Sequence, residues 1–119
     1  MPKRGALLFI DDIYDSCNKI LSYVDGYDYN KFKIDLKTVD AVTRNLEIIG
    51  EAAKALPPEF KKKYPKIPRK DISAMRNKVA HEYFGVDDKI LWTTTREDIP
   101  ILKSQIYKIK KTLKEQTLF

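Results

Sequence analysis

Cysteine is almost missing from this sequence: Cys17 is the only one in 119 residues. An intrachain disulfide is therefore excluded, as is a zinc site built from several thiolates. Cys17 falls within a helical apolar pattern and reads as a small core hydrophobe, which fits a reducing cytoplasm. Histidine is equally scarce. His81 is alone, so a mechanism that needs two imidazoles must draw them from two chains. The four glycines, Gly5, Gly26, Gly50 and Gly85, are too scattered to form a glycine-rich phosphate loop. Long apolar runs are also absent. Ala6–Ile10 is cut short by Asp11-Asp12, and neither a signal peptide nor a membrane span is expected.

What is present is charge and helical periodicity. Hydrophobic residues make up 43% and charged residues 34%, the balance of a soluble globular chain, and the length suits one domain over residues 1–119. The net charge of +6 favours polyanionic partners, although the same surplus also serves solubility alone. Ile10, Ile13, Cys17, Ile20 and Val24 are spaced 3, 4, 3 and 4, and Asp25-Gly26 marks a stop. Val39, Val42, Leu46, Ile49, Ala53 and Leu56 repeat the pattern until Pro57-Pro58 ends it. Ile99, Leu102, Ile106, Ile109 and Leu113 repeat it again, with Asp98 before Pro100 as the expected start.

Shorter pieces lie between the second and third of these segments. Glu59–Tyr64 suits one or two helical turns. Lys70–Tyr83 is a helix candidate with Ile72, Met75, Val79 and Phe84 or Tyr83 on its apolar side. Asp87 suits the cap of a helix running to about Glu97, though the β-branched Thr93-Thr94-Thr95 run weakens it. No alternating strand pattern or internal repeat is visible. The pattern predicts an all-α, antiparallel up-and-down bundle of four to five helices.

The chemistry concentrates in one stretch. Arg76 and Asn77 precede His81 by five and four residues, and Tyr83 follows by two. A lone histidine is usually structural; its neighbours shift that reading. Cleaving an RNA backbone without a metal requires removing the 2′-hydroxyl proton, protonating the leaving 5′-oxygen and stabilising the crowded phosphorus centre. Histidine titrates near neutral pH and handles either proton. Arginine stays charged and matches phosphate oxygens with a planar fork. Asn77 and His81 share a helix face, so Asn77 is placed to orient the imidazole. Arg76 and His81 lie about 140° apart on a regular helix. Either the helix distorts, or two copies of the chain build the site, which points to a symmetric dimer.

The flank is basic. Between Pro57 and Val79, eight positive residues (Lys61, Lys62, Lys63, Lys66, Arg69, Lys70, Arg76 and Lys78) against two negative ones give a local +6, equal to the whole surplus. Lys66, Arg69, Lys70 and Lys78 are the candidates for holding RNA, while Lys61–Lys63 read more readily as a solvated face. Tyr64 among them could stack on a base. Asp11, Asp12 and Asp15, or Glu47 and Glu51, could offer oxygens to a metal, but read better as helix-start and surface charges. Nothing marks Ser16 or Ser73 as a nucleophile. No cofactor and no metal are expected.

Arg76-Asn77-Lys78-Val79-Ala80-His81-Glu82-Tyr83 resembles the R-x-x-x-x-H-x-Y motif of HepT-like toxins in the HEPN superfamily. The helix Ala41-Val42-Thr43-Arg44-Asn45-Leu46-Glu47-Ile48-Ile49-Gly50-Glu51-Ala52-Ala53-Lys54 is similar to the same family, as are Pro65-Lys66-Ile67-Pro68 and Phe84-Gly85-Val86-Asp87. Arg69 stands where the family commonly has tryptophan. The resemblance implies a dimerising all-α bundle, with room for higher assembly, whose two motifs line a shared cleft. It implies a metal-independent endoribonuclease, the toxin of a type II toxin–antitoxin pair. The implied partner is a MntA-like minimal nucleotidyltransferase antitoxin that transfers AMP from ATP onto the motif tyrosine, here Tyr83. A non-catalytic module that docks such a nucleotidyltransferase is the alternative, and a plain structural bundle with a basic face is the third reading.

Overall fold

The computed structural model describes residues 5–63 and 88–117, with side chains to residue 114. Helix α1, Ala6–Tyr23, presents Ile10, Ile13, Cys17 and Ile20 as one buried stripe. Its end falls where the sequence predicts. The Val24 amide donates to the Ile20 carbonyl at 3.2 Å, and Gly26 then takes φ 76°, a left-handed conformation that side chains disfavour.

Helix α2, Tyr29–Ile34, does not appear in the periodicity. Six residues with one buried side chain, Phe32, are too short for a 3–4 repeat to declare itself. The helix forms because Asp28 caps it, accepting from the Lys31 amide at 2.8 Å. Phe32 pins it, lying fully buried with its ring centroid 5.2 Å from that of Trp92.

Helix α3, Leu36–Ala55, buries Val42, Leu46, Ile49 and Ala53, the stripe expected. It starts ahead of Val39 because Asp35 caps it. The Asp35 carboxylate accepts from the Thr38 amide at 3.3 Å, the Thr38 hydroxyl at 2.8 Å and the Tyr27 hydroxyl at 2.6 Å. Leu56, with ψ 135°, adopts the extended backbone that a following proline demands. The short helix α4, Pro58–Lys63, then sets Phe60 against the core.

The last part of the chain corrects one expectation. Asp98 does not begin a helix. The backbone is already helical from Asp88, through α5 (Asp88–Thr93) and a π-helical turn (Thr94–Asp98), into α6 (Ile99–Thr117). Proline inside a helix lacks a donor and presses its ring on the carbonyl four residues back. Pro100 is accommodated by the wider turn, in which the Ile99 amide reaches the Thr94 carbonyl five residues back. The threonine run does not break the helix either: the buried Thr95 hydroxyl donates to the Leu91 carbonyl at 3.0 Å.

Among the described residues every regular element is helical, so the all-α architecture is correct. Helix α1 packs against both α3 and α6, and α2 bridges α3 and α5. Lys110 of α6 meets Asp11 of α1 while Tyr107 meets Tyr14, so these two helices run antiparallel. No helix of the described residues is long and apolar enough to cross a membrane.

Replacing Phe32 with alanine should lower stability by about 3–5 kcal/mol, because it empties a closed site. Urea unfolding monitored by Trp92, the only tryptophan, measures this. The Asp35 carboxyl is held below its ordinary 3.8, first by the Tyr27 hydroxyl and then by the Thr38 hydroxyl and amide. A depressed carboxylate stabilises the fold above its unfolded value, and that contribution is lost as pH falls through the lower folded value. Asp35→Asn should therefore lower Tm near neutral pH, with the gap from wild type closing below pH 3.8.

Candidate active site

Arg76, Asn77, His81 and Tyr83 lie outside the described residues, as do Lys66, Arg69, Lys70 and Lys78, the helix expected over Lys70–Tyr83 and the Asp87 cap. The described residues show the frame that this segment leaves and rejoins. On the leaving side, Leu56 and Phe60 are buried, and Phe60 belongs to the same apolar cluster as Leu46 and Ile49. On the rejoining side, Leu91 enters that cluster and Trp92 packs against it. The described residues on both sides of residues 64–87 are thus anchored in one core.

The lysines leading into the segment are not equivalent. Lys61 reaches back so that its Nζ donates to the Lys54 carbonyl at 3.3 Å. That carbonyl belongs to the last turn of α3, where main-chain acceptors lack helical partners and a cation is favoured. Lys61 therefore has a structural task that a reading as solvated surface missed. The sequence signal was faint: a lysine placed just past a proline break. Lys62 is exposed.

Of the other residues considered for chemistry, Asp11 and Glu47 lie in ion-pair contacts. Lys110 Nζ stands 3.0 Å from Asp11 Oδ1, close enough for an ion pair but without hydrogen-bond alignment, so that oxygen remains unbonded. Glu47 Oε2 pairs with Arg44 at 3.5 Å on an exposed face, where such a contact contributes little. Among the described residues no three of histidine, cysteine, aspartate and glutamate come together as a metal cluster. Ser16 is buried in the α1 stripe, and Ser73 lies outside the described residues.

Asn45, within the α3 run that resembles the HepT-like family, was not singled out by spacing alone. It is 6% exposed, and its Nδ2 donates to the Ala41 carbonyl at 2.9 Å while its Oδ1 has no hydrogen-bond partner among the described residues. Burial of half-satisfied amides is costly, and nothing in the apolar periodicity announces it.

Cys17 is inert in this setting. Burial pushes its thiol up to about 12, only partly offset by the positive charge of Lys103. Since the thiolate is the reactive form, the native protein should resist a thiol-directed alkylating reagent near pH 8. It should react fully, at one site per chain, once urea unfolds it; intact mass reads both states.

Comparison with known proteins points to the same family as the resemblance. The family model described as "Ribonuclease HepT-like" matches residues 13–109. A Thermococcus cleftensis protein named "Probable ribonuclease HepT" is 42% identical over 109 residues, covering 92% of this chain and 99% of that protein. A Methanocaldococcus jannaschii protein named "Putative RNase MJ0125" is 40% identical over 116 residues, covering 98% of this chain and 100% of that protein. No solved structure matches. With the model spanning most of the helical frame and both relatives aligned nearly end to end, the chain belongs to the HepT-like ribonuclease family of the HEPN superfamily.

Proposed function

We propose that this protein is a metal-independent endoribonuclease that acts as the toxin of a type II toxin–antitoxin pair in the cytoplasm. The observation that carries the reading is the Arg76…His81-Glu82-Tyr83 spacing inside a chain whose family match runs across it. The ribonuclease names of the two relatives support the same chemistry.

The residues divide the work as follows. Arg76 binds the scissile phosphate and offsets the charge that builds on its oxygens. His81 handles protons, with Asn77 fixing its tautomer. The 2′-oxygen attacks phosphorus as its proton is taken up, and the 5′-oxygen leaves as it receives one, giving a 2′,3′-cyclic phosphate and a 5′-hydroxyl. Each chain has one histidine. A base and an acid that are both histidine therefore come from two motifs across a homodimer. Lys66, Arg69, Lys70 and Lys78 draw the RNA backbone towards the site.

Tyr83 is the control point. Its hydroxyl attacks the α-phosphorus of ATP on a minimal nucleotidyltransferase antitoxin, and pyrophosphate leaves. The added AMP carries bulk and negative charge two residues from His81, where both oppose RNA binding.

Purified, unmodified wild-type protein should cleave RNA in the presence of EDTA, with cyclic-phosphate ends. His81→Ala should be slower by about 10²–10⁴-fold, the usual contribution of a positioned proton-transfer group. Expression of wild type should arrest growth and degrade cellular RNA, and His81→Ala should do neither. Equal behaviour of the two, with RNA left intact by wild type, rejects the toxin assignment. Co-expression with the nucleotidyltransferase should add AMP-sized mass increments that disappear in Tyr83→Phe.

A further inference from the structure

Tyr14 of α1 and Tyr107 of α6 meet on the outer side of the bundle, with ring centroids 6.0 Å apart and planes inclined by 36°. Together with Pro100, Lys103 and Ser104 they line an open hollow of about 320 Å³. The volume is at the lower end of small-molecule sites, enough to seat one planar ring system. Tyr107 keeps 51% of its surface exposed. Lysine ammonium groups flank the pair: Lys110 Nζ lies 4.7 Å and Lys103 Nζ 5.9 Å from the Tyr14 centroid.

The helix explains why these residues converge. Core positions Ile99, Leu102, Ile106 and Ile109 form one stripe of α6. Beside it run Pro100, Lys103, Ser104, Tyr107 and Lys111, spaced 3, 1, 3 and 4, a second stripe along the same helix. Tyr107 thus has a lysine one turn before it and another one turn after it. Between Ile99 and Lys114 the helix carries five lysines and no aspartate or glutamate. Asp11 offsets one of them, Lys110. An exposed aromatic ring bracketed by cations along a strip is poorly suited to an apolar protein partner. It matches a nucleic acid strand, whose bases stack while its phosphates are neutralised.

We infer that the Tyr14–Tyr107 hollow is an accessory subsite for single-stranded RNA. One base stacks on the open face of Tyr107, the Ser104 hydroxyl meets the base edge, and Lys103 and Lys111 hold the adjoining phosphates. The inference rests on the ribonuclease reading and adds to it a second contact, built wholly from α1 and α6. It assigns part of the affinity for RNA to residues outside the basic flank of the motif.

The test measures binding of a fluorescent, uncleavable 2′-O-methyl RNA dodecamer by anisotropy, alongside cleavage of ordinary RNA. Tyr107→Ala should weaken binding by about tenfold, within the range of one lost stacking contact. Tyr107→Phe, which keeps the ring, should restore it, and Lys111→Glu should weaken binding while making it less steeply dependent on salt, because a phosphate contact is lost. KM for a long RNA should rise in Tyr107→Ala while kcat stays unchanged. Circular dichroism of each variant confirms the fold. If all three variants bind and cleave as wild type does, the subsite is rejected while the ribonuclease reading stands. If Tyr107→Ala converts a dimer to a monomer in light scattering with unchanged RNA affinity, the stripe is a contact between copies and the subsite is rejected. If wild type neither binds nor cleaves RNA, both readings fall together.

Discussion

The buried face of α1 is the constraint on which the rest of the structure depends. Ile10, Ile13, Cys17 and Ile20 are fully buried, and the helix that carries them is the one that α3 and α6 both pack against. A helix contacted along two sides cannot shift its stripe without opening two interfaces at once, because interiors are packed to near-crystalline density. The same constraint makes Cys17 a packing residue. In so closed a position its volume matters and its thiolate is not accessible. It also fixes the antiparallel register of α6, which in turn brings Tyr107 beside Tyr14.

Secondary supports hold the ends of this core. The Phe32–Trp92 contact ties the short α2 to the returning segment after residue 87, and Leu56 and Phe60 tie down the segment before residue 64. The described residues on either side of the family motif are therefore held at two points of one hydrophobic cluster. Small polar devices do the rest: Asp28 and Asp35 at helix starts, Lys61 at a helix end, and the Thr95 hydroxyl against Leu91. The caps and Lys61 satisfy main-chain groups that lack helical partners at helix ends, and the Thr95 hydroxyl bonds to a carbonyl beside the π-helical turn.

The sequence was informative where a pattern repeats and silent where it does not. Three long helices were legible because each buries four or more residues at 3–4 spacing. Helix α2 was not, since Phe32 is a single buried residue in six. The start proposed at Asp98 failed for a related reason. Aspartate before proline is a sound local signal for a helix beginning, but α5 and the π-helical turn already supply helical backbone ahead of Pro100. Local rules describe one turn at a time, and a widened turn is a response to packing on both sides of it. At the motif the position is reversed. Arg76, His81 and Tyr83 were singled out by their spacing and by family resemblance, and they lie outside the described residues.

By itself, then, the sequence determined the class of fold, the three long helix faces, the basic charge and the residues available for proton transfer, because those follow from composition and from spacing along one chain. Only the tertiary structure decided which helix is central, how Pro100 is accommodated, that Lys61 caps α3, and that Tyr14 and Tyr107 share a hollow. The central helix and the hollow depend on side chains far apart in sequence, Tyr14 and Tyr107 among them, while the Pro100 turn and the Lys61 cap are local contacts that no apolar periodicity encodes.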